Sequence, residues 1–159
     1  MLNEILRRIE EHERRTANMI RVGKVIKVDA AKGLVKLKVG DLETAWLPWT
    51  ESAGGTSTWS PPTVGQQMML VSPSGEPGQG WASPAGFSSD NPAPSGDGDA
   101  RVQKHGGVTM TTKGGKLIID AAEVQINGGS LKHNAKNVGD THIHSGIVRG
   151  GAETDPPSN

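Results

Sequence analysis

Residues 20–39 read IRVGKVIKVDAAKGLVKLKV, and this stretch decides the fold of the N-terminal half of the chain. Its second part, residues 34–39, alternates aliphatic side chains with lysines. That alternation is typical of a strand that turns one face to a core and the other to water. Between the two apolar runs, residues 29–33 (DAAKG) carry the Asp and Gly of a turn. The stretch therefore predicts a β-hairpin.

Three further strands are predicted on the C-terminal side of this hairpin, at residues 41–49, 64–71 and 81–87. Five short strands within residues 20–88 favour an OB-like five-stranded β-barrel, with a β-sandwich as the alternative. In the strand at 41–49 we expect Ala45, Leu47 and Trp49 on one face and Trp46 on the other. All the aromatic residues lie between Trp46 and Phe87, which predicts that a well-filled core is confined to the middle third.

A helix is predicted on the N-terminal side, in residues 1–19. Leu2, Ile5, Leu6 and Ile9 follow the i, i+3, i+4, i+7 spacing of one helical face. A lone helix of this length is marginal in water. We therefore expect it to dock on its own domain, on a sister chain or on a partner.

The chain changes character after the predicted barrel. Residues 89–100 hold no large apolar residue and are predicted to be a linker. In residues 101–139, short β-prone pieces alternate with glycines, which favours a solenoid or fibrous β-structure. We predict that three chains wind about one axis as a β-helix, and that four aliphatic side chains line that axis: Leu117, Ile119, Val124 and Ile126. An ordinary pair of extra hairpins is the alternative.

Residues 140–159 form a Gly/Pro-rich end that contains His142 and His144. In an extended chain these two side chains point to the same face. Two imidazoles hold a transition metal weakly, so Asp140 and Asp155 could complete a four-coordinate site. Alternatively, three copies of the chain could supply six nitrogens, which suits ferrous iron or nickel better than zinc. The remaining interpretation is two exposed histidines in a loose tail.

Composition limits the classes of function. The 159 residues have zero formal net charge, but residues 1–38 carry ten Lys/Arg and five Asp/Glu, whereas residues 39–100 carry no Lys/Arg and seven Asp/Glu. No block combines strong basicity with interleaved aromatics, so we expect no nucleic-acid partner. There is no cysteine, no apolar run of membrane-spanning length and no signal-peptide pattern. We therefore expect synthesis in the cytoplasm without a signal peptide.

Catalytic motifs are not found in the sequence. The pair Gly115-Lys116 lacks the Ser or Thr that a phosphate-binding loop needs next, because position 117 is Leu. His12, His105 and His133 stand alone, and no Ser/His/Asp or Cys/His arrangement has a supporting motif. We predict no catalytic residues.

The chain resembles the phage baseplate assembly protein V family, the central spike of contractile phage tails. The resemblance is carried by residues 128–134 (GGSLKHN), 137–144 (NVGDTHIH) and the tail that ends in residues 155–157 (DPP). The order of helix, OB-like barrel, Gly-rich β-structure and His-x-His tip covers nearly the whole chain. Residues 145–150 (SGIVRG) depart from the glycine and proline usual in related tips.

This resemblance implies a mainly β homotrimer with an intertwined triple-stranded β-helix, in which His142 and His144 of all three chains bind one iron ion at the tip. It also implies a structural virion protein of the tail baseplate that contacts other baseplate and tail-tube proteins. Its role would be to pierce the host outer membrane during contraction. Two rival functions remain: an OB-fold module that binds a glycan or other ligand and carries a flexible tail, and a His-ligated metal hydrolase.

Overall fold

The computed structural model describes residues 1–139 and Gly146, so the predicted metal ligands His142 and His144 lie outside the described residues. One helix, a single 3-10 turn and eleven strands make up the described part. In chain order they are α1 (Leu2–Asn18), β1 (Ile20–Asp29), β2 (Leu34–Val39), β3 (Leu42–Glu43), β4 (Leu47–Pro48), β5 (Gln67–Val71), the 3-10 turn (Pro77–Gln79), β6 (Trp81–Pro84), β7 (Arg101–His105), β8 (Val108–Lys113), β9 (Lys116–Asp120), β10 (Lys132–His133) and β11 (Lys136–Asn137).

The first six strands form one antiparallel sheet in the order β3-β2-β1-β5-β6, and β4 pairs with β2. The predicted hairpin is β1 and β2, joined by a turn in which Gly33 has the positive φ of 68° that glycine adopts without strain. The β1–β2 register shifts between Val25 and Lys27, which is a β-bulge at Ile26. A parallel bridge between Trp49 and Ala82 brings the two ends of the sheet together.

The core of this sheet is almost entirely aliphatic. Along β2 the buried and outward-facing residues alternate as predicted, and Leu37 is fully buried at its centre. The buried apolar residues are Val25, Val35, Leu37, Val39, Leu47, Trp49, Met68, Leu70 and Ala82. Each fully buried Val, Leu or Met contributes about 1.5–3 kcal/mol relative to leaving it exposed.

The prediction that the core is confined to the region of the aromatic residues was wrong. Trp49 is buried, but the other four are exposed: Trp46, Trp59, Trp81 and Phe87. The core takes Val25 and three side chains of β2 from outside the aromatic region. Aliphatic side chains from neighbouring strands fill the small interior instead.

The prediction of one continuous strand over residues 41–49 was also wrong. The chain leaves the ladder at Thr44, which is only 3% exposed, whereas Ala45 faces solvent. The Leu37 N–H donates to Thr44 Oγ1 at 3.0 Å, and that hydroxyl donates to the Ala45 carbonyl at 2.8 Å. The buried hydroxyl thus supplies the hydrogen bonds that a ladder would have supplied, and β3 and β4 form on either side of it.

Residues 101–120 form a second, three-stranded antiparallel sheet in the order β7-β8-β9. Its strands are joined by the glycine pairs 106–107 and 114–115, and Gly114 and Gly115 have φ of 55° and 74°. Two-residue hairpins favour this left-handed backbone, so the glycines here are turn residues. Residues 124–127 form no strand, contrary to prediction. Further on, β10 and β11 make a small hairpin.

We expect Leu37→Ala to lower the free energy of unfolding by about 2–5 kcal/mol, because it removes packed atoms from the centre of the core. The neighbouring change Lys38→Ala, on the outer face, should alter it by less than about 0.5 kcal/mol. Urea unfolding followed by tryptophan fluorescence measures both. Equal effects from the two variants would contradict this assignment of the core.

Candidate assembly interface

The second sheet exposes an apolar face. In its register, Met110 lies opposite Ile119 and Thr112 opposite Leu117. Because alternate residues of a strand share a face, Val108, Met110, Leu117 and Ile119 all project to the same side. Their side chains are 40–60% exposed. The β7 residues on this side are polar (Arg101, Gln103 and His105), so the apolar patch lies on β8 and β9. An exposed apolar patch of this kind on a soluble protein marks a surface that another molecule covers.

The opposite face of this sheet is more polar. It carries Val102 and Ile118 among threonines and charged side chains: Lys104, Thr109, Thr111, Lys113, Lys116 and Asp120. Val102, Thr109 and Thr111 are half-buried there. The two faces therefore differ in chemistry, and the apolar one is the candidate contact surface.

No described residue between Ser83 and Gly139 is buried. A three-stranded sheet needs a covered hydrophobic face to be stable in water. The order β7-β8-β9 also leaves the outer edges of β7 and β9 without a strand partner in the described part of the chain. Free edges present backbone N–H and C=O groups that can pair with another chain.

A cleft of about 760 Å³ separates the apolar face from the barrel. Val108 and Met110 line its sheet side, and Trp49, Trp59 and Met68 line its barrel side. The two tryptophan rings lie 5.2 Å apart, centroid to centroid, at 52° to each other. This tilted arrangement is one that aromatic pairs favour.

Glu51 fixes the loop that carries Trp59. Its carboxylate accepts a hydrogen bond from the Thr58 hydroxyl and another, at 2.7 Å, from the Ser60 N–H. The loop also closes on itself where the Thr58 N–H donates to the Ser52 carbonyl at 2.9 Å. Sequence composition identified only a polar loop here, because hydrogen bonds between specific side chains leave no periodic signal.

Residues 89–100, the predicted linker, are held by side-chain contacts near both ends. Lys24 Nζ contacts Asp90 Oδ2 at 2.7 Å, and Asn91 Nδ2 donates to the Gly65 carbonyl at 3.3 Å. At the other end, Lys113 pairs with Asp97. Hydrogen bonding to Lys24 lowers the pKa of Asp90, and hydrogen bonding to Lys113, with the Asp99 N–H, lowers the pKa of Asp97.

The helix α1 meets the barrel through its C-terminal half. Arg14 donates to Glu76 at 2.9 Å, and both Arg14 and Arg15 donate to Glu11. These hydrogen bonds, first from Arg14 and then from Arg15, lower the pKa of Glu11 to about 2. Gly75 lies so close that an added Cβ would be 2.5 Å from the Arg15 carbonyl oxygen. Only glycine fits this contact, since its φ of 71° is also left-handed.

The structure tests only some of the residues singled out from sequence. Asp140, His142, His144 and Asp155 lie outside the described residues. Of the four predicted axial side chains, Leu117 and Ile119 lie together on the apolar face of the sheet. Val124 and Ile126 are exposed and lie outside any strand.

The remaining histidines are dispersed. His105 lines the cleft at the end of β7, His133 lies in β10, and His12 lies in α1. Among the described residues, no three His, Cys, Asp or Glu side chains come together in a metal-binding group. In the same part of the chain, no helix is both long and apolar enough to cross a membrane.

Comparison with known proteins identifies the barrel. Residues 21–87 match the family described as the type VI secretion system/phage-baseplate injector OB domain. The chain is also 38% identical over 96 residues to the spike protein of Escherichia phage P2, a match that covers 60% of this chain and 46% of the phage protein. The matched region thus spans just under half of that relative.

These matches confirm the resemblance seen in the sequence. The structure shows the N-terminal helix and a mainly β chain, and the family match identifies its first sheet as an OB domain. They support the prediction of a structural, non-enzymatic protein over the hydrolase interpretation, because the matched family is described as an injector OB domain and the relative is named a spike protein.

The contacts of Asp90 with Lys24 and of Asp97 with Lys113, which hold the linker in place, should depend on pH. Both aspartates have a lowered pKa in the folded chain, so their contribution is present above the usual Asp value and is lost as pH falls through the lower folded values. We expect faster hydrogen exchange in residues 89–100 at about pH 3 than at pH 7, after correction for intrinsic rates. The double change Asp90→Asn with Asp97→Asn should reproduce this at pH 7, and Asp99→Asn should not. Unchanged exchange in the double variant would contradict the prediction.

Proposed function

The chain carries the OB domain of the injector family shared by type VI secretion systems and phage baseplates, and we propose that it is the homotrimeric central spike of a contractile phage tail baseplate. In this proposal it sits at the tip of the baseplate in the virion and contacts other baseplate and tail-tube proteins. It pierces the host outer membrane when the tail contracts. Its homology to the spike protein of phage P2 supports this role.

The observation that carries the proposal is the apolar face of the second sheet, in a segment that buries no residue of its own. Two further copies around a threefold axis would cover this face with the same face of their own sheets. They would also offer backbone partners to the free edges of β7 and β9. Hydrophobic burial and β hydrogen bonds that a single chain cannot make would then hold the spike together.

The proposed mechanism is mechanical. The sheath of a contractile tail supplies the force, and this chain supplies a narrow and stiff point. Stiffness follows from hydrogen bonds between strands and from close packing along the axis, because packed interiors have low compressibility. The contacts of Asp90 with the barrel and of Asp97 with the second sheet would transmit the force from the one to the other.

We further propose that His142 and His144 of the three chains hold one iron ion at the tip. Six neutral imidazoles can fill an octahedral shell, a donor set that suits iron better than tetrahedral zinc. When bound, the ion supplies a cross-link between three chain ends, which are otherwise the parts of a protein most prone to fray. The chain's own contribution is the i, i+2 spacing, which in an extended strand would place both rings on one face.

The trimer is tested by a matched pair of variants. Ile118 and Ile119 are each 43% exposed in the single chain, but they point to opposite faces of the sheet. Ile119→Asp should abolish the trimer, because it would bring three unpaired carboxylates together in an apolar interface. Ile118→Asp should leave it intact. Sedimentation equilibrium measures both, and a stable folded monomer of the unaltered chain at micromolar concentration would refute the proposal.

The metal is tested by elemental analysis of protein purified without chelator. We expect about one iron per three chains, lost in the double variant His142→Ala with His144→Ala and kept in the control His133→Ala. The double variant should keep its folded barrel, since the core lies in residues 25–82. Iron content that does not change in the double variant would remove the tip site from the proposal.

A further inference from the structure

The helix α1 carries a second exposed apolar surface, and its spacing is that of a coiled coil. Counting from Leu2 in steps of three and four residues gives a continuous seam of a and d positions. The seam residues are Leu2, Ile5, Ile9, His12, Thr16 and Met19. None of them is buried. Leu6, at the neighbouring e position, is also exposed and widens the apolar part of the surface.

The contacts with the barrel leave the N-terminal part of this seam free. At its C-terminal end the Met19 carbonyl accepts a hydrogen bond from the Ser72 N–H at 2.7 Å, and Arg15, at a g position, approaches Gly75. Arg14, which hydrogen-bonds Glu76 of the barrel at 2.9 Å, occupies an f position. Glu11, which holds Arg14 in place, occupies a c position. Positions c and f lie on the side of a helix away from a and d. The barrel therefore anchors α1 at its C-terminal end and leaves Leu2, Ile5 and Ile9 exposed.

The ion pairs of the helix leave two charges beside the seam unpaired. Three intrahelical ion pairs join Arg7 to Glu4 and join both Arg14 and Arg15 to Glu11. Of the charged side chains of α1, all of which lie in the described part, Arg8, Glu10 and Glu13 make no ion pair.

Arg8 holds a g position and Glu13 holds the e position five residues later. In a parallel coiled coil, a g side chain of one helix meets that e side chain of its neighbour. The unpaired charges at the seam thus have the right sign and spacing to pair between identical helices.

We propose that α1 packs against the α1 helices of two other copies as a short parallel three-stranded coiled coil, with an Arg8–Glu13 ion pair between each neighbouring pair of helices. Leu at a with Ile at d favours three or four strands over two, and rotation about a threefold axis makes the helices parallel. His12 and Thr16 are polar seam residues, which fix the register at some cost in stability.

This proposal rests on the trimer proposed above. A helix of 17 residues is too short to associate strongly by itself. Tethering to a trimer held elsewhere raises the effective concentration of the three helices to the millimolar range, about that of short flexible linkers. The coiled coil is thus formed by the assembled spike, at the end opposite to the tip in the order of the chain.

Single cysteines test the seam, because the full chain has no cysteine of its own. Ile5→Cys places a thiol at a d position, and Arg7→Cys places one at an outward f position. In the trimer we expect interchain disulfides to form at least about tenfold faster for Ile5→Cys. If both variants sediment as trimers and cross-link at equal rates, the coiled coil is refuted while the proposed spike stands. If the unaltered chain is a monomer, both proposals fail.

Charge reversal tests the pairing and the identity of the neighbour. In the Ile5→Cys background, Arg8→Glu and Glu13→Arg should each slow cross-linking by about three- to tenfold, and the two together should restore it. The control Glu10→Arg reverses a charge that is also unpaired but lies at an outward b position, and it should have no effect. Failure of the double variant to restore the rate would mean that another protein covers the seam, and would overturn the proposal.

Discussion

The structure depends on one constraint: the chain buries its apolar side chains in a single small core and nowhere else in its described part. Nine apolar residues between Val25 and Ala82 are packed out of water. The two segments that flank this core, α1 and the second sheet, each keep an apolar surface exposed. A chain of this size has a limited capacity to bury surface by itself, so we infer that other molecules cover these two surfaces. Both exposed surfaces suit identical neighbours.

The polar contacts outside the core have a common role. Arg14 with Glu76 fixes the helix to the barrel, and Lys24 with Asp90 fixes the start of the linker to it. Exposed ion pairs of this kind contribute little free energy each. They orient segments whose main contacts are made elsewhere, so their effect should be on geometry more than on stability. A spike that transmits force along one axis needs this kind of alignment.

The sequence predicted those parts of the fold that have a periodic pattern. The alternation in residues 34–39 and the spacing of Leu2, Ile5 and Ile9 gave β2 and α1 correctly, because burial on one face leaves a regular trace. The break at Thr44 could not be predicted, since one buried hydroxyl that hydrogen-bonds the backbone has no periodic signature. The exposure of four aromatics was missed because hydrophobicity alone does not say which large side chains a small barrel can hold.

Less of the candidate assembly interface than of the fold could be predicted from the sequence. The apolar face was expected to include Val124 and Ile126, but the strands end at Asp120 and the face is completed by Val108 and Met110. Strand pairing, which sequence does not reveal, decides which residues share a face. The tip histidines, His142 and His144, are predicted from their spacing and from family resemblance, and they lie outside the described residues.

The glycine pairs between the strands of the second sheet also bear on the rate of assembly. Each joins adjacent strands through a two-residue turn, so every contact in residues 101–120 is short in sequence. Hairpins of this kind form in about 1–10 µs, and such low contact order makes for fast folding. A sheet without a fully buried residue should be only transiently populated in a single chain. In the proposed trimer the slow event would then be the encounter of chains, and its rate should rise with protein concentration.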